Sequence, residues 1–180
     1  MERTKNKPQT ILTNDPSMTA WGWVILTWDE QILDSGCIKT KPDYKKKRIR
    51  KGDDTVRRVR EINHQLLSII NKYNVNYVIS ELPHGSQNAN AAVMIGIVTG
   101  ILQTICDCKQ LGIEWYSEGD AKKHLIGKIA ATKRTIIDAI DDLYDMPWTN
   151  TKYIDEATAD AMAIYHVAKF QSSTLKLMKS

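Results

Sequence analysis

Asp15, Glu81 and Asp160 are the side chains of this sequence best placed to do chemistry. Asp15 closes one apolar run and is followed by Pro16; Glu81 sits near the end of another, just ahead of Pro83. Asp160 lies among Ala157, Ala159, Ala161, Met162, Ala163 and Ile164. A lone carboxylate in such surroundings faces something buried or close-packed and needs a partner there. Converging carboxylates raise one another's pKa, and a divalent cation offers the compensation. Oxygen-only ligands favour hard ions, magnesium first, with manganese able to substitute. Two such ions can activate a water, stabilise a leaving oxygen and cut a phosphodiester in line. Spacing alone leaves the plainer alternative open, because an acid at a strand end often serves as a turn or cap residue.

Convergence depends on the elements that carry these acids. Residues 9–14, 21–28 and 31–40 read as three strands, the last two joined by a tight turn at Asp29-Glu30, in an antiparallel meander. Residues 41–51 are polar and basic, with Pro42 near the start, and read as a loop. Asp53 or Asp54 is placed to cap a helix running to residue 73, with Val56, Val59, Ile62, Leu66, Ile69 and Ile70 along one face. Residues 75–82 read as a buried strand, and 87–110 as a long buried helix ending near Gly112. Residues 113–116 form a last strand, and 120–126, 133–143 and 155–170 three more helices. The expected architecture is α/β: a mixed five-stranded sheet, three antiparallel strands first and then two parallel to strand 1, with helices on both faces. If the strands ending in Asp15 and Glu81 are neighbours, a helix crossing that edge brings Asp160 to the same point. One domain, residues 9–172, is expected between a loose tail at 1–8 and a C-terminal tail at 173–180.

A chain of 180 residues with net charge +4 suits one soluble domain. The apolar stretch 89–105 is broken by Gly96, Thr99, Gly100, Gln103 and Thr104, which argues against a membrane span. The polar, lysine-bearing start lacks the apolar core of a secretion signal, so a cytoplasmic setting is expected. Cys37, Cys106 and Cys108 contain no Cys-x-x-Cys pair, which argues against a disulfide framework or a zinc site. The charge is concentrated. Between Lys39 and Arg60 eleven basic side chains face three acidic ones, a local excess of about +8. Lys45, Lys46, Lys47 and Arg48 form its centre, and a solvated loop or a phosphate-binding surface would both account for it.

Four segments resemble the RuvC family of Holliday junction resolvases and its phage relatives. Ile11-Leu12-Thr13-Asn14-Asp15-Pro16-Ser17 with Gly22-Trp23-Val24-Ile25 is similar to the family's opening. Ser35-Gly36-Cys37-Ile38-Lys39-Thr40-Lys41 resembles its third strand, Tyr77-Val78-Ile79-Ser80-Glu81 the strand with its second acid, and Asp160-Ala161-Met162-Ala163-Ile164 its closing motif. The resemblance implies an RNase H-like fold, a homodimer, magnesium and paired nicks across a four-way DNA junction. It carries Asp15, Glu81 and Asp160 over as metal ligands. Lys122 and Lys133 match lysines near the family's cleft, where they would hold a phosphate or offset transition-state charge.

The departures are specific. Ser17 and Asn14 replace residues around the first acid, and His84 stands where the bacterial family's aromatic junction wedge aligns. The family's fourth acid falls three residues before the last, which here is Ala157. Helical spacing favours Glu156 as its substitute, with Asp155 the alternative ligand or an N-cap. Ala92, Gly96 and Gly100 are spaced four apart, so that either another helix or the chain's own sheet fits closely against them. Cutting of an RNA–DNA hybrid or flaps, and a non-catalytic DNA-binding or packaging role, are the competing functions.

Overall fold

The computed structural model describes residues 9–44 and 49–178. Strand β1 (Thr10–Asp15) is buried until its last residue, as a strand covered on both faces must be. Strands β2 (Ala20–Thr27) and β3 (Ile32–Lys39) continue from it antiparallel. Strand β4 (Val75–Glu81) pairs parallel to β1, and β5 (Gly112–Tyr116) parallel to β4. The order is β3-β2-β1-β4-β5, the expected mixed sheet.

Side-chain parity divides the core. Leu12 and Val78 point to one face, where they meet helices α1 (Lys51–Tyr73) and α2 (Ala89–Lys109). Ile11 and Ile79 point to the other, which carries α3 (Glu118–Ile126), α4 (Lys133–Asp141), α5 (Lys152–Gln171) and α6 (Ser173–Met178). Helix α1 buries Asp54, Arg58, Ile62, Leu66 and Ile70, one stripe at spacing four. Helix α5 lies between the sheet and α3 and α4, which is why it is buried nearly all round.

Several expectations are corrected. Neither Asp53 nor Asp54 caps α1; Arg50 is its N-cap residue, and the buried Asp54 carboxylate accepts from the Asp43 N–H and pairs with Arg57. Helix α2 ends at Gln110 in the left-handed conformation. Gly112 instead opens β5, where a Cβ would come within 2.5 Å of the Tyr77 ring. The same helix is buried on one side only, through Val98, Leu102, Ile105 and Cys106. Its small-residue stripe does not pack on its own sheet: a Cβ at Gly96 or Gly100 would meet nothing within 4 Å. Residues 173–178, read as a tail, form α6, whose Leu175 is fully buried.

That last helix is tied down by Glu114 on β5. Its carboxylate accepts from the hydroxyls of Tyr77, Tyr116, Ser172 and Thr174. Four donors favour the ionised form, and Glu114 titrates below its ordinary value although burial opposes this.

Candidate active site

Thr13 lies opposite Ile79 and Asn14 opposite Ser80, so Asp15 and Glu81 leave two adjacent parallel strands side by side. Both project toward the face that α5 covers. On the opposite face Asn14 locks the two strand ends together. Its Nδ2 donates to the Ile79 carbonyl at 3.1 Å, and its Oδ1 accepts from the Ser80 hydroxyl at 3.2 Å. The polar Asn14 thus has a positioning role directly beneath the acids.

Helix α5 reaches this edge through two close contacts. Gly22 pairs with Asp15 across β2, and a Cβ there would sit 2.0 Å from the Ala157 carbonyl oxygen. Only glycine lets the helix backbone lie this close. One turn on, the Thr13 hydroxyl donates to the Ala161 carbonyl at 2.7 Å. Between these contacts Asp160 enters the cleft with its side chain 12% exposed, paired with the ammonium of Lys133 at the start of α4.

The electrostatics show that the acids share one environment. Burial pushes Asp15 up to about 7, helped by the charges of Asp160 and Glu118 and opposed by Lys133. Burial pushes Glu81 up to about 8, with Asp15, Glu118 and Asp160 adding to it. Asp160 is raised as well, because burial outweighs Lys133. Among the described residues no three carboxylate, histidine or cysteine side chains already close into a metal cage. The donor set nevertheless fits a hard divalent ion: oxygen-only, poorly hydrated, mutually repelling and fixed on two strands and a helix.

Lys133 and Lys122 both belong to the cleft. Lys122 is 18% exposed and pairs with Glu118, and its charge reaches Asp160. Glu156 and Asp155 make their polar contacts elsewhere. Glu156 faces Lys152 at 3.9 Å, while Asp155 accepts from the N–H and hydroxyl of Thr149 at 2.9 and 2.8 Å. Both line a groove of about 830 Å³ beside Lys133, with Arg134, Trp148 and Asn150. Sequence reasoning missed Glu118. Its one available signal was that a glutamate directly follows the Ser117 cap at the exit of β5.

His84 is exposed in the loop beyond Glu81. Lys45, Lys46, Lys47 and Arg48 lie outside the described residues. The flanks of that basic stretch are largely occupied within the protein. Arg58 is 7% exposed and donates to the Thr40 hydroxyl and the Met18 carbonyl. Arg57 pairs with Asp54 and Glu61, Arg50 with Asp53, and Lys39 lies 3.2 Å from the centre of the Tyr153 ring. The stretch does leave the correct edge: Lys39 ends β3 opposite Ala20, at the end of the sheet where Asp15 and Glu81 emerge.

Sheet order and helix placement define an RNase H-like fold. Residues 11–166 match the family described as crossover junction endodeoxyribonuclease RuvC, and the chain belongs to that family. The RuvC of Ehrlichia ruminantium (strain Gardel) is 27% identical over 167 residues, covering 89% of this chain and 99% of the relative. That of Salmonella choleraesuis (strain SC-B67) is 28% identical over 159 residues, 87% of this chain and 85% of the relative. In structure the chain is similar to Thermus thermophilus RuvC in complex with a Holliday junction substrate, with a TM-score of 0.69 at 18% identity over 92% of this chain and 95% of that one. The yeast mitochondrial Holliday junction resolvase gives a TM-score of 0.63 at 9% identity, over 94% and 83%. These two structural likenesses concern the fold. Family membership makes the chain a divalent-metal-dependent endonuclease.

Proposed function

We propose that this chain resolves four-way DNA junctions as a cytoplasmic homodimer, with Asp15, Glu81 and Asp160 holding magnesium, for which manganese substitutes. One observation carries the reading: two acids at the ends of adjacent parallel strands meet a third that α5 lays across them, in a cleft buried enough to raise all three. Bound divalent ions supply an activated water and compensate the charge on the leaving oxygen. The two strands and the helix fix the carboxylates before DNA arrives, so little reorganisation is left for the reaction. Lys133, on Asp160, and Lys122, on Glu118, are cations within the cleft that can follow a phosphate as its charge changes. His84 and the segment 45–48 are the candidate outer DNA contacts.

The exposed face of α2 supports the dimer. Gly96 and Gly100 are open, and Val93 beside them is 57% exposed. A second copy laid there would give a two-fold assembly with two sites, as two symmetric nicks require.

The test is a nicking assay with magnesium on a four-way junction, linear duplex and RNA–DNA hybrid. Paired symmetric nicks confined to the junction are expected. Asp15→Asn, Glu81→Gln and Asp160→Asn should each abolish cutting while junction binding survives. Preferential cutting of the hybrid would move the substrate to RNA, and near-normal cutting without Glu81 would sink the assignment.

A further inference from the structure

Three carboxylates are few for a site that orients one or two hard cations, which take six or more oxygen ligands. Among the acids near the cleft, Asp155 is committed to Thr149 and Glu156 faces Lys152. Glu118 differs in its placement. Glu81 pairs with Tyr116 across β4 and β5, and the Leu82 N–H donates to the Tyr116 carbonyl at 2.8 Å. The end of β5 is thereby clamped against the strand end that carries Glu81. Ser117 then turns the chain into α3, its hydroxyl accepting from the Asp120 N–H at 3.0 Å. Glu118 is the first helical residue, two positions past the partner of Glu81. One turn later Lys122 holds one of its oxygens, Oε1.

We propose that Glu118 is the fourth carboxylate of the metal centre, supplied from the start of α3 and carried by Lys122 until the ion binds. The charges felt in the cleft agree with that position: Glu118 raises Asp15, Glu81 and Asp160, and Lys133 feels it too. Its side chain is 42% exposed, so it can exchange its lysine for an ion without leaving a packed site. Lys122 then becomes free for a phosphate when the metal takes Glu118. The inference rests on the metal-centre reading above.

The test is calorimetric titration of the full chain with Mn²⁺, without DNA, on the unmodified protein and on Glu118→Gln, Glu156→Gln, Lys122→Met and Asp15→Asn. Each variant is first melted in chelator to show that it is folded. Glu118→Gln should weaken Mn²⁺ binding about ten-fold or more, since even residues that only orient ligands cost that much. Glu156→Gln should leave the affinity unchanged, and Lys122→Met should hold or raise it by removing a repelling cation. Unchanged affinity in Glu118→Gln overturns the proposal, as does a loss in Lys122→Met matching that of Glu118→Gln, which would mean that Glu118 acts only through the lysine. Asp15→Asn separates the two levels. If it loses Mn²⁺ while Glu118→Gln does not, only Glu118 fails; if it too binds normally, the cleft is not the metal centre and both readings fall.

Discussion

At Asp15 and Glu81 burial and neighbouring charge act in one direction. Both groups keep protons in the folded chain at pH values where the unfolded chain has released them, between ordinary values of 3.8 and 4.5 and folded values of about 7 and 8. The folded state binds more protons across that range, so without metal its stability falls as pH rises from about 4 to about 8. In chelator the melting temperature should drop over this interval. Asp15→Asn should melt above the unmodified protein at the alkaline end and converge with it at the acid end. Parallel melting curves would show that the acids are not in a shared, poorly hydrated cleft. Divalent ions compete with those protons, so Mn²⁺ affinity should climb over the same range. Glu114 carries the opposite sign. Its pKa is lowered, so its stabilisation is full above the ordinary carboxylate value and is lost as pH falls through the folded one. Glu114→Gln should cost about 1–3 kcal/mol in denaturant unfolding at neutral pH, and less in acid.

Among the elements, the placement of α5 matters most to the site. Gly22→Ala would drive a methyl group into the Ala157 carbonyl, and backbone cannot yield as a side-chain tip can. A destabilisation of about 1–3 kcal/mol is expected, with single-turnover cutting reduced further than junction binding, because Asp160 moves with the helix. The order of strands and helices was legible because apolar runs of distinct length alternate with turn residues. Asp15 and Glu81 were legible because an acid ending a buried strand interrupts the apolar pattern. Glu118 was not, since its closeness to Glu81 exists only through the pairing of β4 with β5 and the turn at Ser117. Glu156 is placed differently from Glu118. Spacing of four puts it on the side of Asp160 in the unbroken helix α5, where it faces Lys152 and lines the groove beside Lys133. The one-sided burial of α2 was hidden as well, because an apolar sequence does not say which of its faces the sheet will take.

Over the whole molecule, charge and symmetry govern how DNA is met. Arg57 and Arg58 are engaged within the fold, and the centre of the basic stretch is among its remaining candidate phosphate contacts. If about four side chains there neutralise phosphates, the log–log salt slope of junction binding should carry roughly −3 to −4 from them. Replacing Lys45, Lys46, Lys47 and Arg48 by Ser should flatten it by that amount and leave cutting at saturating protein mostly intact. An unchanged slope would place the DNA path elsewhere, with Lys122, Lys123, Lys133 and Arg134 the next candidates. On the far face, Gly96→Ala should help the isolated fold by roughly 0.5–1 kcal/mol, since alanine favours a helix and the site is open. Gly96→Leu should shift sedimentation toward monomer; an unchanged association state would remove α2 from the interface.

The bond from Thr13 to the Ala161 carbonyl spans 148 residues. It ties completion of the site to a helix far along the chain from the strand that carries Asp15. A chain shortened before residue 152 keeps the sequences of β1 and β4 but loses the side chains that α5 buries against that face of the sheet. It has no Asp160 in place and nothing to cover the cleft. Cutting should therefore depend on the docking of residues 152–171 against the sheet.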